Sequence, residues 1–149
     1  YSSYEGGEGE HYSSAILMRR GDLPHASVAA ALAHGGSDLP LERLRGRRIA
    51  FNGRDSMSGF IALSRDLAQL GTGIEIFAQE VETGAHRASI VAVAEGRADV
   101  CAIDCRSWDM AKRVEPAAAA LAPVGWTARR RGLPYISSSK LPAFALSSV

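Results

Sequence analysis

The densest run of chemistry-bearing residues is Asp55-Ser56-Met57-Ser58-Gly59, which sets a carboxylate and two hydroxyls just ahead of a glycine. If a helix starts there, the hydroxyls join unpaired backbone N–H groups at its positive end, and Gly59 lets a ligand approach closely. That combination holds an anion. The same residues also suit a plain helix cap, with Asp55 or Ser56 as the capping side chain. Thr83-Gly84-Ala85-His86 repeats the offer. A histidine at a helix start has its charged form disfavoured yet still donates a hydrogen bond while neutral; the plainer role is that of a surface or cap histidine. Asp104 directly follows an apolar run, where a carboxylate either receives a cationic or hydroxyl ligand group or caps the next helix.

Other candidates are weaker. Cys101 and Cys105 are the only cysteines, and one lies within a strand-like run, so they read as two buried thiols and no metal site is expected. A Cys105–His86 nucleophile and base pair lacks any accompanying nucleophile elbow or oxyanion signature. The basic runs Arg43-Leu-Arg-Gly-Arg-Arg48 and Arg129-Arg-Arg131 have no interleaved aromatics and read as solvated surface; no nucleic-acid partner is expected.

The elements that would position these groups follow from periodicity. Tyr12 to Arg19 reads as a buried strand closed by Gly21-Asp22, and Ala26 to His34 as a short helix stopped by Gly35-Gly36. Arg47 to Asn52 is a second strand. The stripe Phe60, Leu63, Leu67, Leu70 defines a helix over Ser58 to Leu70, ended by Gly71. Ile74 to Val81 alternates like a strand; His86 to Glu95 is a helix with Gly96 as its left-handed cap; Val100 to Ile103 is a central parallel strand. Ser107 to Val114 is a further helix, ended by Pro116, and Leu121 to Thr127 a last strand. Strands alternating with helices imply a three-layer α/β fold, with a mixed, mostly parallel sheet of about five strands. Ligands of such sheets bind outside the carboxyl ends of the strands, at the turns that hold the candidates above.

Length and composition agree with this fold. The 149 residues are 46% hydrophobic and 22% charged, with 17 Lys and Arg against 16 Asp and Glu, the balance of one globular domain. That excludes disorder, collagen and coiled coil. A net charge of +1 demands no polyanionic partner. No uncharged apolar run reaches 18 residues, so no membrane-spanning helix is expected. The chain begins at Tyr1 without a visible leader, as a processed or partial chain would.

Five ordered motifs together resemble one family. They are Leu44-Arg-Gly-Arg-Arg-Ile-Ala-Phe-Asn52, Asp55-Ser-Met-Ser-Gly-Phe60, Gly84-Ala-His-Arg-Ala-Ser89, Ala94-Glu-Gly-Arg-Ala-Asp-Val100 and Ala102-Ile-Asp104, and Gly132-Leu-Pro-Tyr-Ile-Ser137 fits as well. Their order and spacing are similar to the phosphate, phosphite and phosphonate substrate-binding proteins of ABC transporters, within the type 2 periplasmic binding proteins. The resemblance covers about Tyr1 to Ser139. It implies the second lobe of a two-lobed protein: residues 1–9 as the first crossover, 10–131 as the ligand-binding lobe, and 132–149 as the second crossover and the start of a missing first lobe. It assigns oxyanion contacts to Ser56, Met57, Ser58 and Gly59, a further contact to His86, and a closing aromatic to Tyr4 or Tyr12, beside the Asp104 candidate read from the sequence. It implies no catalysis and no cofactor, a small anionic ligand, an ABC permease as partner, and a periplasmic or other extracytoplasmic location. Two features depart from the pattern. Met57 replaces a Thr common in phosphonate binders, and Leu23 to Leu39 looks like an insertion. A regulatory or biosynthetic protein that binds another small metabolite with the same fold is the alternative, as is a lobe that has lost its ligand.

Overall fold

Ser14–Arg19 is buried at every position except its last, which a strand achieves only when both of its faces are covered. In the computed structural model, which describes residues 1–23 and 28–132, this segment is the antiparallel member of a five-stranded sheet. The strands in chain order are β1 Gly7–Glu8, β2 His11–Tyr12, β3 Ser14–Arg19, β4 Arg48–Phe51, β5 Gln79–Glu82, β6 Val100–Asp104, β7 Leu121–Trp126 and β8 Arg130–Arg131. The helices are α1 Leu41–Leu44, α2 Ala62–Gln69, α3 His86–Ala94 and α4 Cys105–Val114. The main sheet runs β5-β4-β6-β3-β7. β4 is parallel to β5 and to β6, while β3 is antiparallel to β6 and β7, so four of the five strands point one way and β3 the other. A small second sheet, β1-β2-β8, ties residues 7–12 to Arg130–Arg131.

Adjacent residues of a strand face opposite sides, and the sequence uses this to feed two cores. Leu17, Ala50, Cys101 and Ile103 join Ile90 and Val93 of α3 and Trp108 of α4 on one side. Ile16, Ile49, Phe51 and Val100 join Leu44 of α1 and Leu63 and Leu67 of α2 on the other. Helices therefore cover both faces, and β4 and β6 deliver their carboxyl ends to the same edge of the sheet.

The helix stops follow the glycines: Gly71 and Gly96 adopt φ of 79° and 82° just past α2 and α3. Two sequence expectations are corrected. Residues 28–34 form no helix; they lie as a strap against β7, with Ala29 N–H donating to Pro123 O (2.9 Å) and Trp126 Nε1 donating to Ala29 O (3.1 Å). The tertiary hydrogen bonds outweigh an alanine-based helix propensity that is marginal in so short a segment. Ala26 and Ser27 lie outside the described residues. The strand placed at Ile74 to Val81 begins only at Gln79, because Ile74–Ile76 forms a 3₁₀ turn whose isoleucines, with Phe77, pack on the α2 side of the sheet. β5 is an edge strand, which explains its mostly exposed Gln79, Glu80 and Glu82. Val100 to Ile103 proves parallel to β4 and antiparallel to β3.

The end of β6 away from the helix-start turns is held by a charge cluster. Asp99 receives the Arg19 guanidinium (2.9 Å), the Arg48 guanidinium (2.9 Å) and the Arg48 backbone N–H (2.9 Å). The Arg48 hydrogen bond, above the opposing effect of burial, holds the Asp99 carboxyl far below the ordinary carboxylate range. On the other side of the sheet Asp66, 1% exposed, accepts from Ala128 N–H (2.8 Å) and pairs with the Arg130 guanidinium.

Candidate functional site at three strand ends

β4 stops at Phe51, and the chain turns through residues 52–56 into a helical turn at Met57–Ile61. Ile61 N–H reaches back to Ser56 O (3.0 Å), an i to i+5 bond that widens this turn relative to an α-helix. Ser56 caps it by accepting from Gly59 N–H (3.1 Å). Glycine at 59 leaves room for Asn52: a Cβ there would stand 2.0 Å from Asn52 Oδ1, so any other residue must push that side chain aside. The turn is also pinned from below, as Ser14 Oγ donates to Ser58 O (2.8 Å).

The turn after β5 is set by Thr83, whose N–H donates to Phe51 O (2.8 Å) and whose Oγ1 shares a hydrogen bond with Ser89 Oγ (2.6 Å). It starts α3 with His86 as its first residue. The turn after β6 is capped by Asp104: Oδ1 accepts from Ser107 N–H (2.8 Å) and Oδ2 from Ser107 Oγ (2.7 Å).

All three turns meet at one nitrogen. His86 Nε2 lies 3.0 Å from Ser58 Oγ and 3.3 Å from Asp104 Oδ2. Burial by itself pushes the Asp104 carboxyl up, but hydrogen bonds from His86 and Ser107 outweigh it and leave the group below its ordinary value. Asp104 is therefore an acceptor only at neutral pH, and the proton must sit on Nε2. Ser58 Oγ can accept from that shared N–H and keep its own hydrogen free for an incoming oxyanion. Beside this junction lies a cavity of about 400 Å³, lined by Tyr1, Tyr12, Ser58, Asp104, Arg106 and Ser107 among others. Burial first, and the Asp104 charge next, push the Tyr12 phenol up, so it stays a protonated donor at the cavity wall.

The structure thus brings together Ser58, His86, Asp104 and Tyr12. Ser56 stands in the same turn but its oxygen serves the cap, and Met57 packs against the core on the α3 and α4 side. Tyr4 packs on that core too, and the second aromatic at the cavity is Tyr1, its ring centroid 5.3 Å from that of Tyr12. Arg106 at the cavity was not singled out in the sequence. Its signal was a cation in the first turn of a helix, where the helix dipole disfavours one.

Serine, histidine and aspartate do not form a nucleophile relay here. Such a relay needs the carboxylate on the nitrogen opposite the serine. Here both groups share Nε2, and Nδ1 is buried without a partner. Cys105 is buried in the core, and that burial pushes its thiol up, away from the reactive thiolate. Among the described residues no cluster of histidine, cysteine and acidic side chains suits a metal ion, and no helix is long and apolar enough to cross a membrane.

A mixed α/β sheet with helices on both faces and helix starts gathered at its strand ends is a fold with known counterparts. Residues 5–143 match the family described as "ABC transporter, phosphonate, periplasmic substrate-binding protein", and the chain belongs to that family. Solved structures share its fold. PhnD1 from Prochlorococcus marinus, in complex with methylphosphonate, superposes with a TM-score of 0.64 at 19% identity, over 86% of this chain and 46% of that one. A binding-protein component of an ABC phosphonate transporter from Pseudomonas aeruginosa gives 0.58 at 13% identity, over 97% and 45%. A histidine kinase sensor domain with similarity to periplasmic binding proteins gives 0.51 at 25% identity, over 87% and 48%. The chain spans under half the length of each of these proteins. No curated protein matches it.

Proposed function

We propose that this chain is the anion-gripping lobe of an ABC importer's solute-binding component, and that the Ser56–Gly59 turn with His86 takes a phosphonate, phosphite or phosphate group. The convergence of the turns after β4, β5 and β6 on His86 Nε2 carries this reading. It sets the Ser58 hydroxyl, in the first turn of one helix, beside the start of α4 at Arg106 and Ser107 on one cavity, and a hydroxyl donor near a helix start suits an oxyanion without a cofactor. Binding and release, not bond-breaking, is the action such a set supports. The family supports a permease as partner and a location outside the cytoplasm.

The rest of the protein is a second lobe that closes on the cavity. Supporting this, Gly132 N–H donates to Glu10 O (2.8 Å) and β8 pairs with β2, so Arg130–Gly132 lie directly beside the segment that follows residues 1–9; residues 133–149 of the expected second crossover lie outside the described residues. With one wall missing, solvent competes for every donor, and binding by this chain alone is weak. A thermal-shift panel of phosphate, phosphite, methylphosphonate, sulfate and a neutral polyol on the two-lobed protein tests the proposal. Stabilisation by a phosphorus oxyanion above the polyol is expected; stabilisation by none of the oxyanions contradicts it. A sensor role, suggested by the kinase-domain likeness, predicts the same binding but no association with a permease.

A further inference from the structure

The cavity holds one ionised group that oxyanion capture at the Ser56–Gly59 turn leaves unused. Arg106 lies in the first turn of α4 and lines the cavity with Tyr12, Ser58 and Asp104. Helix energetics do not explain it, since a cation there opposes the dipole. Nor does pairing. Arg19, Arg48, Arg87 and Arg130 each meet a carboxylate, whereas the Arg106 guanidinium has no hydrogen-bond or ion-pair partner among the described residues. Arg20, Arg43, Arg45, Arg47 and Arg65 also lack carboxylates, but none of them lines this cavity.

The other charge in the cavity is committed. Asp104 spends Oδ1 on Ser107 N–H and Oδ2 on Ser107 Oγ and His86 Nε2. An ammonium group on a ligand would meet a carboxylate already holding three donors, while an acidic group would meet a guanidinium with its five donors open. We infer that the ligand carries a second oxyanion and that Arg106 receives it, making short phosphonates that bear a carboxylate the preferred class. This rests on the anion site proposed above and adds its specificity.

The test is titration of the two-lobed protein by ligand-observed ³¹P NMR, with methylphosphonate, phosphonoacetate, 3-phosphonopropionate and 2-aminoethylphosphonate as probes. At least one phosphonocarboxylate should bind about tenfold tighter than methylphosphonate, and Arg106→Gln should remove that advantage while leaving methylphosphonate within about twofold. Arg106→Lys should keep part of it, because the charge remains and the fork is lost. Arg106 is exposed, so these variants should keep the wild-type melting temperature. Three results overturn the inference alone: no preference for the carboxylates, a preference for the aminoethyl compound, or an equal loss for all four ligands in Arg106→Gln. If none of the four binds, the Ser56–Gly59 turn is no anion site, and the inference falls with it.

Discussion

β6 begins beside one carboxylate and ends on another, and the two are treated in opposite ways. Asp99, ahead of the strand, is locked between two permanent cations, Arg19 and Arg48, with a backbone N–H as well. Asp104, its last residue, has neutral hydroxyl and amide donors and a histidine, and stands at a cavity with an unengaged arginine. Charge is quenched at one end and left available at the other. The first arrangement stabilises the fold whatever is bound; in the function proposed here, a ligand completes the second.

This contrast can be broken from either end. The largest expected effect is at Asp66, the buried counterpart of Asp99: Asp66→Ala leaves Arg130 uncompensated and should cost about 3–5 kcal/mol in urea unfolding. Asp99→Ala should cost less, about 2 kcal/mol, because water reaches its arginines, and should leave anion binding unchanged by calorimetry. At the cavity, Gly59→Ala drives a methyl into Asn52 Oδ1; about 1–3 kcal/mol of stability and most of the anion affinity should go together. Asp104→Asn keeps a cap oxygen and should cost under about 1 kcal/mol while altering affinity. If Asp99 variants change binding as strongly as Asp104 variants do, the two ends are not distinct.

Protonation separates the ends further. Both carboxyls lie below their ordinary values in the fold, so each contributes stability that is fully present above the unfolded value, about 4, and is lost as pH falls through the folded one. Stability should therefore hold from neutral pH to about 5 and decline below about 4. Asp99→Asn should flatten that decline more than Asp104→Asn does, since its carboxyl is the more strongly depressed.

Much of this was legible in the chain. The unbroken apolar runs in Ser14–Arg19 and Val100–Ile103 marked strands buried on both faces, and the stripe through Leu63 and Leu67 marked a helix with one buried side. The three turns were legible as helix starts after apolar runs. What escaped depends on tertiary partners. The strap at residues 28–34 is extended only because β7 offers it Pro123 O and the Trp126 indole, and Ile74 and Ile76 fit a 3₁₀ turn as well as a strand. That His86 meets both Ser58 and Asp104 at one nitrogen is a fact of packing that no spacing encodes. Arg106 was missed because it stands alone rather than in a basic run, although its place in a first turn was a local conflict.

The most direct test of the account is amide chemical-shift mapping of the chain during methylphosphonate addition. Ser58, Gly59, His86 and Ser107 should shift together and saturably, while Arg48, Gly96 and Asp99, at the other end of β6, stay still; Ser58→Ala should abolish the effect. Shifts centred on the Arg48 end, or unchanged saturation in Ser58→Ala, would contradict anion capture at the junction of the three turns.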